Sequence, residues 1–254
     1  MRVLVLLYGT VCYLGFLGVF LYVIGFTTNW LVPRGIDDGE PGVFINLVIV
    51  NVFLLSIFAL QHTIMARPVF KKWVTKFIPT AAERSTFVLM TNAAFLLIFW
   101  QWRALPEIVW DVSGTPALSN VIWAVCAGGW LLVLYSTFLI NHFDLFGLRQ
   151  VVLFFTAKEY TDAPFAQPWL YKIIRNPLML GFMIAFWATP TMSQGHLLFA
   201  VVVTCYIFFG ITVEERDLKD ALGEDYIAYR ARTPMLIPFL KFARGVTSNG
   251  ESRD

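Results

Sequence analysis

The sequence predicts an all-α integral membrane protein with about six transmembrane helices, a C-terminal helical cap and both termini in the cytoplasm. Of the 254 residues, 58% are hydrophobic and 14% are charged, whereas a soluble domain is roughly 45–50% apolar and about 25% charged. Six apolar runs approach the ~20 residues that cross the hydrocarbon layer of a bilayer. The lysines and arginines are also concentrated on one side of these runs, as in membrane proteins of fixed orientation.

The apolar runs define the elements in order. The first four runs are residues 3–26, 43–64, 84–104 and 119–141. The first is longer than a signal-peptide core and lacks a small-residue cleavage site, so we expect a permanent helix. Runs 177–191 and 195–213 are separated by a short polar turn, which predicts a helical hairpin. We expect one integrated domain, with four helices in 1–141 and a polar loop, the hairpin and a C-terminal section in 142–254.

The cation distribution orients these helices. Seventeen of the 19 lysines and arginines fall on the side that holds both termini: Arg2, five from Arg67 to Arg84, four from Arg149 to Arg175 and seven from Arg216 to Arg253. Arg34 and Arg103 fall on the opposite side. Because positive charge is retained in the cytoplasm, both termini are predicted to be cytoplasmic.

The composition argues against two other classes of site. Cys12, Cys126 and Cys205 all lie inside apolar runs without close spacing, which predicts packing residues and neither disulfides nor a metal cluster. A net charge of +2 without a basic run gives no indication of nucleic-acid binding.

Polar residues gather where three segments leave the membrane on the cytoplasmic side. The fourth run ends in Asn141, His142, Asp144, Arg149 and Gln150, the fifth begins with Arg175 and Asn176, and the sixth ends in Glu214 and Glu215. Charged groups at membrane depth are often functional, and a compact bundle would bring these segments together. The sequence therefore predicts a polar site at this face.

Each of these groups also has a structural interpretation. His142 and Asp144 could form an ordinary interfacial pair, and Lys172 and Arg175 could anchor a helix at the lipid headgroups. Glu215 and Lys219 have the i,i+4 spacing of a solvated helix. His62 could be a polar helix end, and His196 falls on the opposite face.

The C-terminal segment continues as an amphipathic helix. Tyr226 and Tyr229 are three residues apart and therefore share a helix face. The prolines at 234 and 238 end the helix. We predict a cap that returns to the membrane surface beside the hairpin.

Two motifs together resemble a known family. The segment RNPLMLG (175–181), followed by EERDL (214–218) and by LGEDYIAYRARTPMLIP (222–238), is similar to the membrane-integral methyltransferases of the isoprenylcysteine carboxyl methyltransferase and phospholipid methyltransferase group. Asn176 and Met179 depart from the family pattern, which usually has His and often Tyr at these positions. With NHFDLFGLRQ (141–150), the chain more closely resembles the subgroup that contains the methanethiol S-methyltransferases and the NnrU-like proteins.

The resemblance implies a binding site for S-adenosylmethionine formed by the last two spans and the tail. Arg175 would bind the carboxylate of the methionine end in a bidentate manner, and Glu214 or Glu215 would bind its ammonium. Tyr226 and Tyr229 would pack on the adenine or the sulfonium. The remaining members of the expected cofactor set are Tyr171, Asn176 and Gly181.

For the reaction, the resemblance implies methyl transfer to a small thiol, with methanethiol giving dimethyl sulfide. A thiol becomes a good nucleophile as the thiolate, so a base is expected near its sulfur. His142 is the leading candidate base, with Asp144 orienting the ring and Arg149 stabilising the thiolate; His62 is the alternative base.

Other acceptors and roles remain open at this stage. A prenylcysteine carboxylate, a phospholipid amine and a non-enzymatic accessory role of the NnrU type are the alternatives. In the enzymatic interpretation, the active site would face the cytoplasm from a bacterial inner membrane, and the partners would be the thiol and the lipid bilayer.

Overall fold

A computed structural model describes residues 1–40, 42–161 and 167–238. The first half of the chain forms four long helices and three short elements: α1 (Arg2–Thr28), α2 (Phe44–Ala66), α3 (Pro68–Val74), a 3-10 turn (Thr80–Ala82), α4 (Glu83–Gln101), β1 (Ile108–Asp111) and α5 (Pro116–Ile140). The second half contains α6 (His142–Leu145), α7 (Leu148–Phe155), α8 (Trp169–Ile173), α9 (Pro177–Trp187), β2 (Thr191–Ser193), α10 (Gln194–Leu222) and α11 (Glu224–Arg232).

The all-α membrane architecture is confirmed. Within the described residues, α1, α2, α4 with its preceding 3-10 turn, α5 and α10 are long and apolar enough to cross a membrane. Their outward faces carry exposed leucine, isoleucine, valine and phenylalanine side chains, as a lipid-facing surface requires. These five helices agree with five of the six predicted spans.

The fifth predicted span, 177–191, is helical over only part of its length. Helix α9 has 11 residues, which corresponds to about 16 Å at 1.5 Å per residue and is shorter than the ~30 Å hydrocarbon layer. The helix starts at Pro177 and ends at Trp187, shortly before Pro190. The chain then continues without helix into β2, so a short helix and extended chain together connect the two ends of the bundle.

The boundary between the last membrane helix and the C-terminal cap also differs from the prediction. α10 continues without interruption through Glu214 and Glu215 to Leu222, so both carboxylates lie on the last turns of a membrane helix. The break comes at Gly223, whose φ of +56° lies in the left-handed region. The cap itself is α11, which begins at Glu224.

A small sheet that the sequence did not predict closes the opposite end of the bundle. β1 and β2 pair antiparallel, with Ile108 opposite Ser193 and Asp111 opposite Thr191. Arg34 lies at this same end and donates to the carbonyls of Trp100 at 2.6 Å and Trp102 at 2.7 Å. The end of the bundle that has few cations is therefore held together by the pairing of β1 with β2 and by the hydrogen bonds of Arg34.

The core holds the helices by aromatic packing and by one close helix crossing. Phe26, Trp102 and Phe199 are fully or nearly fully buried and meet edge to face. α9 packs most extensively against α5. At that crossing Gly129 faces Gly181, where an added Cβ on either residue would lie 2.9 Å from the carbonyl oxygen of the other.

Candidate active site

His142, the predicted base, is enclosed by hydroxyl and aromatic groups. Its Nε2 lies 2.8 Å from the Tyr13 hydroxyl and its Nδ1 lies 2.8 Å from Thr137 Oγ1. Phe138 stacks on the ring with a centroid distance of 4.3 Å, and only 3% of the residue is exposed. This burial lowers the pKa of His142, which favours the neutral imidazole.

Asp144 does not orient the His142 ring, so that prediction is wrong. The Asp144 carboxylate accepts from Arg149 Nη1 at 3.3 Å and from the Tyr160 hydroxyl at 3.3 Å. Arg149 also donates to the Thr161 carbonyl and lies over the Tyr160 ring. The two ring nitrogens of His142 are instead held by Tyr13 of α1 and Thr137 of α5.

Arg175 and Glu215 do meet, as an ion pair whose side chains are each only 9% exposed. Arg175 Nε and Nη2 both donate to Glu215 Oε1, at 2.8 and 2.6 Å. Arg175 Nη1 donates to the carbonyls of Arg230 and Thr233, and Glu215 Oε2 accepts from Arg230 Nε at 3.2 Å. All three nitrogens of this guanidinium are therefore already bonded to protein groups.

The segment after α11 pairs with the start of the hairpin. The backbone N–H of Arg175 donates to the Pro234 carbonyl at 2.9 Å. Asn176 donates to the Met235 carbonyl from both its backbone and its side-chain amide. Leu236 then packs against Ile207 and Ile211 of α10. Arg175 and Asn176, which were expected to bind a cofactor, thus also fasten the tail to the bundle.

The tyrosines of the cap face inward. Tyr226 and Tyr229 are buried and meet edge to face at 5.9 Å, and the Tyr229 hydroxyl donates to the Tyr171 carbonyl at 2.6 Å. Burial raises the pKa of Tyr226 and of Tyr229 to about 12 and also raises the pKa of Tyr171. These rings form the interior of the cap, and their packing on the adenine or the sulfonium stays a prediction.

Gly181 serves the crossing of α9 with α5. A Cβ at Gly181 would lie 2.8 Å from both the backbone nitrogen and Cγ2 of Val133, so no side chain fits there. The structure places this glycine at a close helix crossing, and its membership of the expected cofactor set stays a prediction.

Glu214 differs from its neighbour Glu215. Glu214 is exposed, whereas Glu215 is buried. No described residue donates a hydrogen bond to the Glu214 carboxylate. The Arg84 guanidinium is close enough to interact with Glu214 electrostatically, but the two do not form an ion pair.

Arg84, which the sequence predicts only as one of the cations on the side of the termini, lies at this face and borders its cavity. Its Nε donates to the Leu145 carbonyl at 2.7 Å, and its guanidinium lies 4.8 Å from the centroid of the Phe87 ring. Its position as a single arginine at the start of an apolar helix could have identified Arg84 from the sequence, because polar groups at that depth are often functional.

His62, the alternative base, is more open than His142. Its Nδ1 makes a long contact of 3.4 Å with Thr91 Oγ1, and no described residue bonds its Nε2. The ring lies beside Phe58 and Phe87 and interacts electrostatically with Arg84.

A cavity of about 590 Å³ opens at the same end of the bundle, within the ~300–1,000 Å³ range of small-ligand sites. Its polar lining includes Lys71, Arg84, Asp144, Gln150, Lys158 and Tyr160. The buried Oε1 of Gln150 has no hydrogen-bond partner among the described residues. Fold and site together define an integral membrane protein with a ligand-sized, charge-lined site at its cation-rich end.

The comparisons with known proteins give the family. The chain is 49% identical over 253 residues to methanethiol S-methyltransferase 2 of Bradyrhizobium diazoefficiens, covering 99% of this chain and 96% of that protein. It is 49% identical to the methanethiol S-methyltransferase of Mycobacterium tuberculosis, over 94% of this chain and 97% of that protein. The enzyme of the same name from Crocosphaera subtropica is 46% identical over 94% of this chain and 93% of its own length. No family model and no solved structure matches the chain.

These similarities extend over nearly the whole chain. The chain therefore belongs to the methanethiol S-methyltransferase family, and it is a methyltransferase.

Proposed function

We propose that this protein transfers a methyl group from S-adenosylmethionine to methanethiol and releases dimethyl sulfide. The observation that carries the proposal is the near full-length similarity to relatives from three different bacteria that bear this enzyme name. The charge-lined cavity supports it, because a soluble donor and a small acceptor both need access from water or the membrane surface.

S-adenosylmethionine, when bound, supplies a methyl group on a positively charged sulfur that leaves as a neutral thioether. The protein must align the acceptor sulfur with that methyl and remove the thiol proton. The new bond forms between the acceptor sulfur and the methyl carbon, the old sulfur–methyl bond breaks, and the thiol proton goes to a base on the protein.

The contacts favour His62 over His142 as that base. Its Nε2 has no described hydrogen-bond partner and its ring interacts electrostatically with Arg84, whereas both nitrogens of His142 already face hydroxyls. We therefore assign proton acceptance to His62 and a positioning role to His142. Asp144 and Arg149 pair with each other at the cavity wall, where they shape the site without touching His142.

We place the site at the cytoplasmic face of a bacterial inner membrane. The cation-rich end carries the cavity and Arg84 on its wall, and the positive-inside rule predicts that this end is retained in the cytoplasm. A charged donor enters such a site from water because crossing the hydrocarbon layer would be costly.

The test is product analysis with the purified protein in lipid nanodiscs. S-adenosylmethionine is supplied with methanethiol, with a prenylcysteine or with phosphatidylethanolamine in separate reactions. We expect dimethyl sulfide in the headspace, matched mole for mole by S-adenosylhomocysteine, from the methanethiol reaction, and no dimethyl sulfide without the donor.

The other outcomes decide between the alternatives. S-adenosylhomocysteine formed only with the prenylcysteine or the lipid would replace the thiol with that acceptor. Absence of product with every acceptor, from protein that is folded by size-exclusion chromatography, would support a non-enzymatic accessory role.

A further inference from the structure

A second, much smaller cavity lies between α2 and α10, two of the helices that are long enough to span the membrane. Its volume is about 60 Å³. One water molecule takes up about 30 Å³ of the liquid, so the cavity has room for a molecule of only a few heavy atoms, and a prenyl chain or a phospholipid headgroup does not fit. Its apolar lining consists of Leu55, Phe58 and Ala59 of α2 and Val202 and Val203 of α10.

The hydroxyl groups on the cavity wall are already hydrogen-bonded within the protein. Ser56 Oγ donates to the Val52 carbonyl at 2.7 Å, and the Tyr206 hydroxyl lies 3.1 Å from Thr63 Oγ1. A strongly polar ligand would lose its hydrogen bonds to water on entering and would find few replacements, which is costly. The lining therefore favours a neutral and mostly apolar occupant.

Two aromatic rings on the wall make the cavity suitable for sulfur. Phe58 and Tyr206 both line it, and their rings meet edge to face with a centroid distance of 5.8 Å. Sulfur atoms make favourable contacts with aromatic rings, and a thiol is only a weak hydrogen-bond donor. A small thiol thus suits this lining better than an alcohol of the same length, which needs a hydrogen-bond partner.

The same two rings adjoin His62, the proposed base. Phe58 precedes His62 by one turn on the same face of α2, and their ring centroids are 5.4 Å apart. The Tyr206 ring meets the imidazole edge to face at 6.5 Å. The cavity and the imidazole therefore share two neighbouring side chains.

From this arrangement we infer that the cavity between α2 and α10 binds the acceptor as a neutral one-carbon thiol and that Val203 on its wall limits the length of the alkyl group. The inference rests on the proposed function and gives its acceptor a binding site. The two helices also expose apolar side chains such as Phe53 and Phe208. A neutral thiol dissolved in the hydrocarbon layer reaches the cavity from this side, whereas the charged donor enters from water.

Kinetics of a Val203→Phe variant in lipid nanodiscs test the binding site. The larger side chain fills part of the cavity, so we expect the KM for methanethiol to rise at least ~10-fold, since one methylene in an apolar pocket is worth about 10–200-fold. The KM for S-adenosylmethionine should change less than about twofold, because the donor does not enter this cavity.

A Val203→Ala variant tests the role of this residue in specificity. The substitution removes the two methyl groups of valine, and 1-propanethiol is longer than methanethiol by the same number of carbons. The kcat/KM for 1-propanethiol, divided by that for methanethiol, should therefore rise at least ~10-fold over the wild-type ratio. Gas chromatography of the two methyl sulfides in the headspace measures both rates.

Val201→Phe is the matched control. It makes the same change two residues away on α10, at a residue that is 41% exposed and outside the described lining of the cavity. We expect the KM for methanethiol and the preference between the two thiols to stay at their wild-type values.

Several results would overturn the inference. Equal KM values for methanethiol in Val203→Phe and Val201→Phe, or a thiol preference that Val203→Ala leaves unchanged, would remove the acceptor from this cavity while dimethyl sulfide formation by the wild-type protein still supports the proposed function. A rise of the KM for both substrates in Val203→Phe would give Val203 a structural role. Should Val203→Phe fail to fold, Val203→Ala decides alone. Wild-type protein that methylates no thiol would overturn the proposed function and the inference together.

Discussion

At the residue scale, His62 and His142 differ in how many of their ring nitrogens are already hydrogen-bonded. His142 is held by Tyr13 and Thr137, whereas the Nε2 of His62 is open within the described residues. If His62 accepts the thiol proton, His62→Ala should lower turnover at neutral pH by roughly 10²–10⁴-fold, the usual contribution of a general base.

The pH profile distinguishes a base from a merely structural residue. The rate of His62→Ala should recover as the pH rises, because the thiol then ionises in solution without help. Headspace dimethyl sulfide measured between pH 7 and pH 9.5 checks this. A His62→Ala protein that keeps near-normal turnover, beside a His142→Ala protein that loses it with recovery at high pH, would return the base to His142.

His142 itself should make stability depend on pH. Burial lowers its pKa in the folded protein, while the unfolded chain has the ordinary value of about 6.5. Below that value the unfolded state binds a proton that the folded state resists, so stability is lost as the pH falls through about 6.5. The wild-type unfolding midpoint should therefore fall more between pH 7.5 and 5.5 than that of His142→Gln; an equal fall would show that His142 is accessible to protons.

Loss of one partner of the buried ion pair between Arg175 and Glu215 should destabilise the folded protein. Removing Arg175 leaves the buried Glu215 carboxylate with Arg230, at 3.2 Å, as its remaining described partner, and breaking a buried ion pair typically costs about 3–5 kcal/mol. Arg175→Gln should therefore lower the midpoint of thermal unfolding and make the C-terminal tail accessible to protease. The exposed pair of Arg67 and Asp217 is the matched control, since an exposed pair contributes about 0–1 kcal/mol. Similar small losses for Arg175→Gln and Arg67→Gln would contradict this reading.

At the element scale, the contact of α5 with α9 depends on two glycines that face each other. A Cβ at Gly129 would lie 2.7 Å from the backbone nitrogen of Ala185, whereas a Cβ at the adjacent Gly128 would meet nothing within 4 Å. We expect Gly129→Ala to lower the unfolding midpoint by an amount equivalent to about 1–3 kcal/mol, as overpacking does. Gly128→Ala should be neutral or slightly stabilising, and equal effects of both variants would show that the helices separate easily.

Helix boundaries show which local features the sequence reveals. The apolar run predicts that α10 leaves the membrane near Glu214, but the helix continues to Leu222 because backbone hydrogen bonds do not depend on side-chain polarity. It ends where Gly223 adopts a positive φ. In α9, flanking prolines shorten a helix that hydropathy alone extends to residue 191.

The site shows the limit of local reasoning. Arg175 and Glu215 were both predicted as site residues, and the return of the C-terminal cap beside the hairpin was predicted too. No sequence pattern shows that Arg230 and Thr233 of this segment would bond to them, because the contacts join residues distant along the chain. The pairing of β1 with β2 was missed for the same reason, because 80 residues of chain separate Asp111 from Thr191. Which donors of Arg84 and Arg175 are already bonded can likewise be seen only in the structure.

At the scale of the whole molecule, charge and hydropathy predict the architecture well because both act on long segments. Arg67, Arg84, Arg149 and Arg175 all lie at one end of the bundle, and Arg34 lies at the other. Of the cations assigned to the cytoplasmic side, Lys241, Arg244 and Arg253 fall outside the described residues. The grouping of the others into one end is a property of the fold, whereas the side of the membrane that this end faces is a separate prediction.

Cysteine labelling in intact cells tests that orientation. Cys205 is exposed on the bundle surface while Cys12 and Cys126 are buried, so Cys205→Ser gives a suitable background. Glu40→Cys places a thiol in the exposed loop between α1 and α2, and Lys72→Cys places one on the exposed part of α3 at the other end. The positive-inside rule predicts that the cation-rich end lies in the cytoplasm, so a membrane-impermeant maleimide should label Glu40→Cys in intact cells and Lys72→Cys only after lysis. The reverse pattern would place the cavity outside the cytoplasm, where a cytoplasmic methyl donor could not reach it.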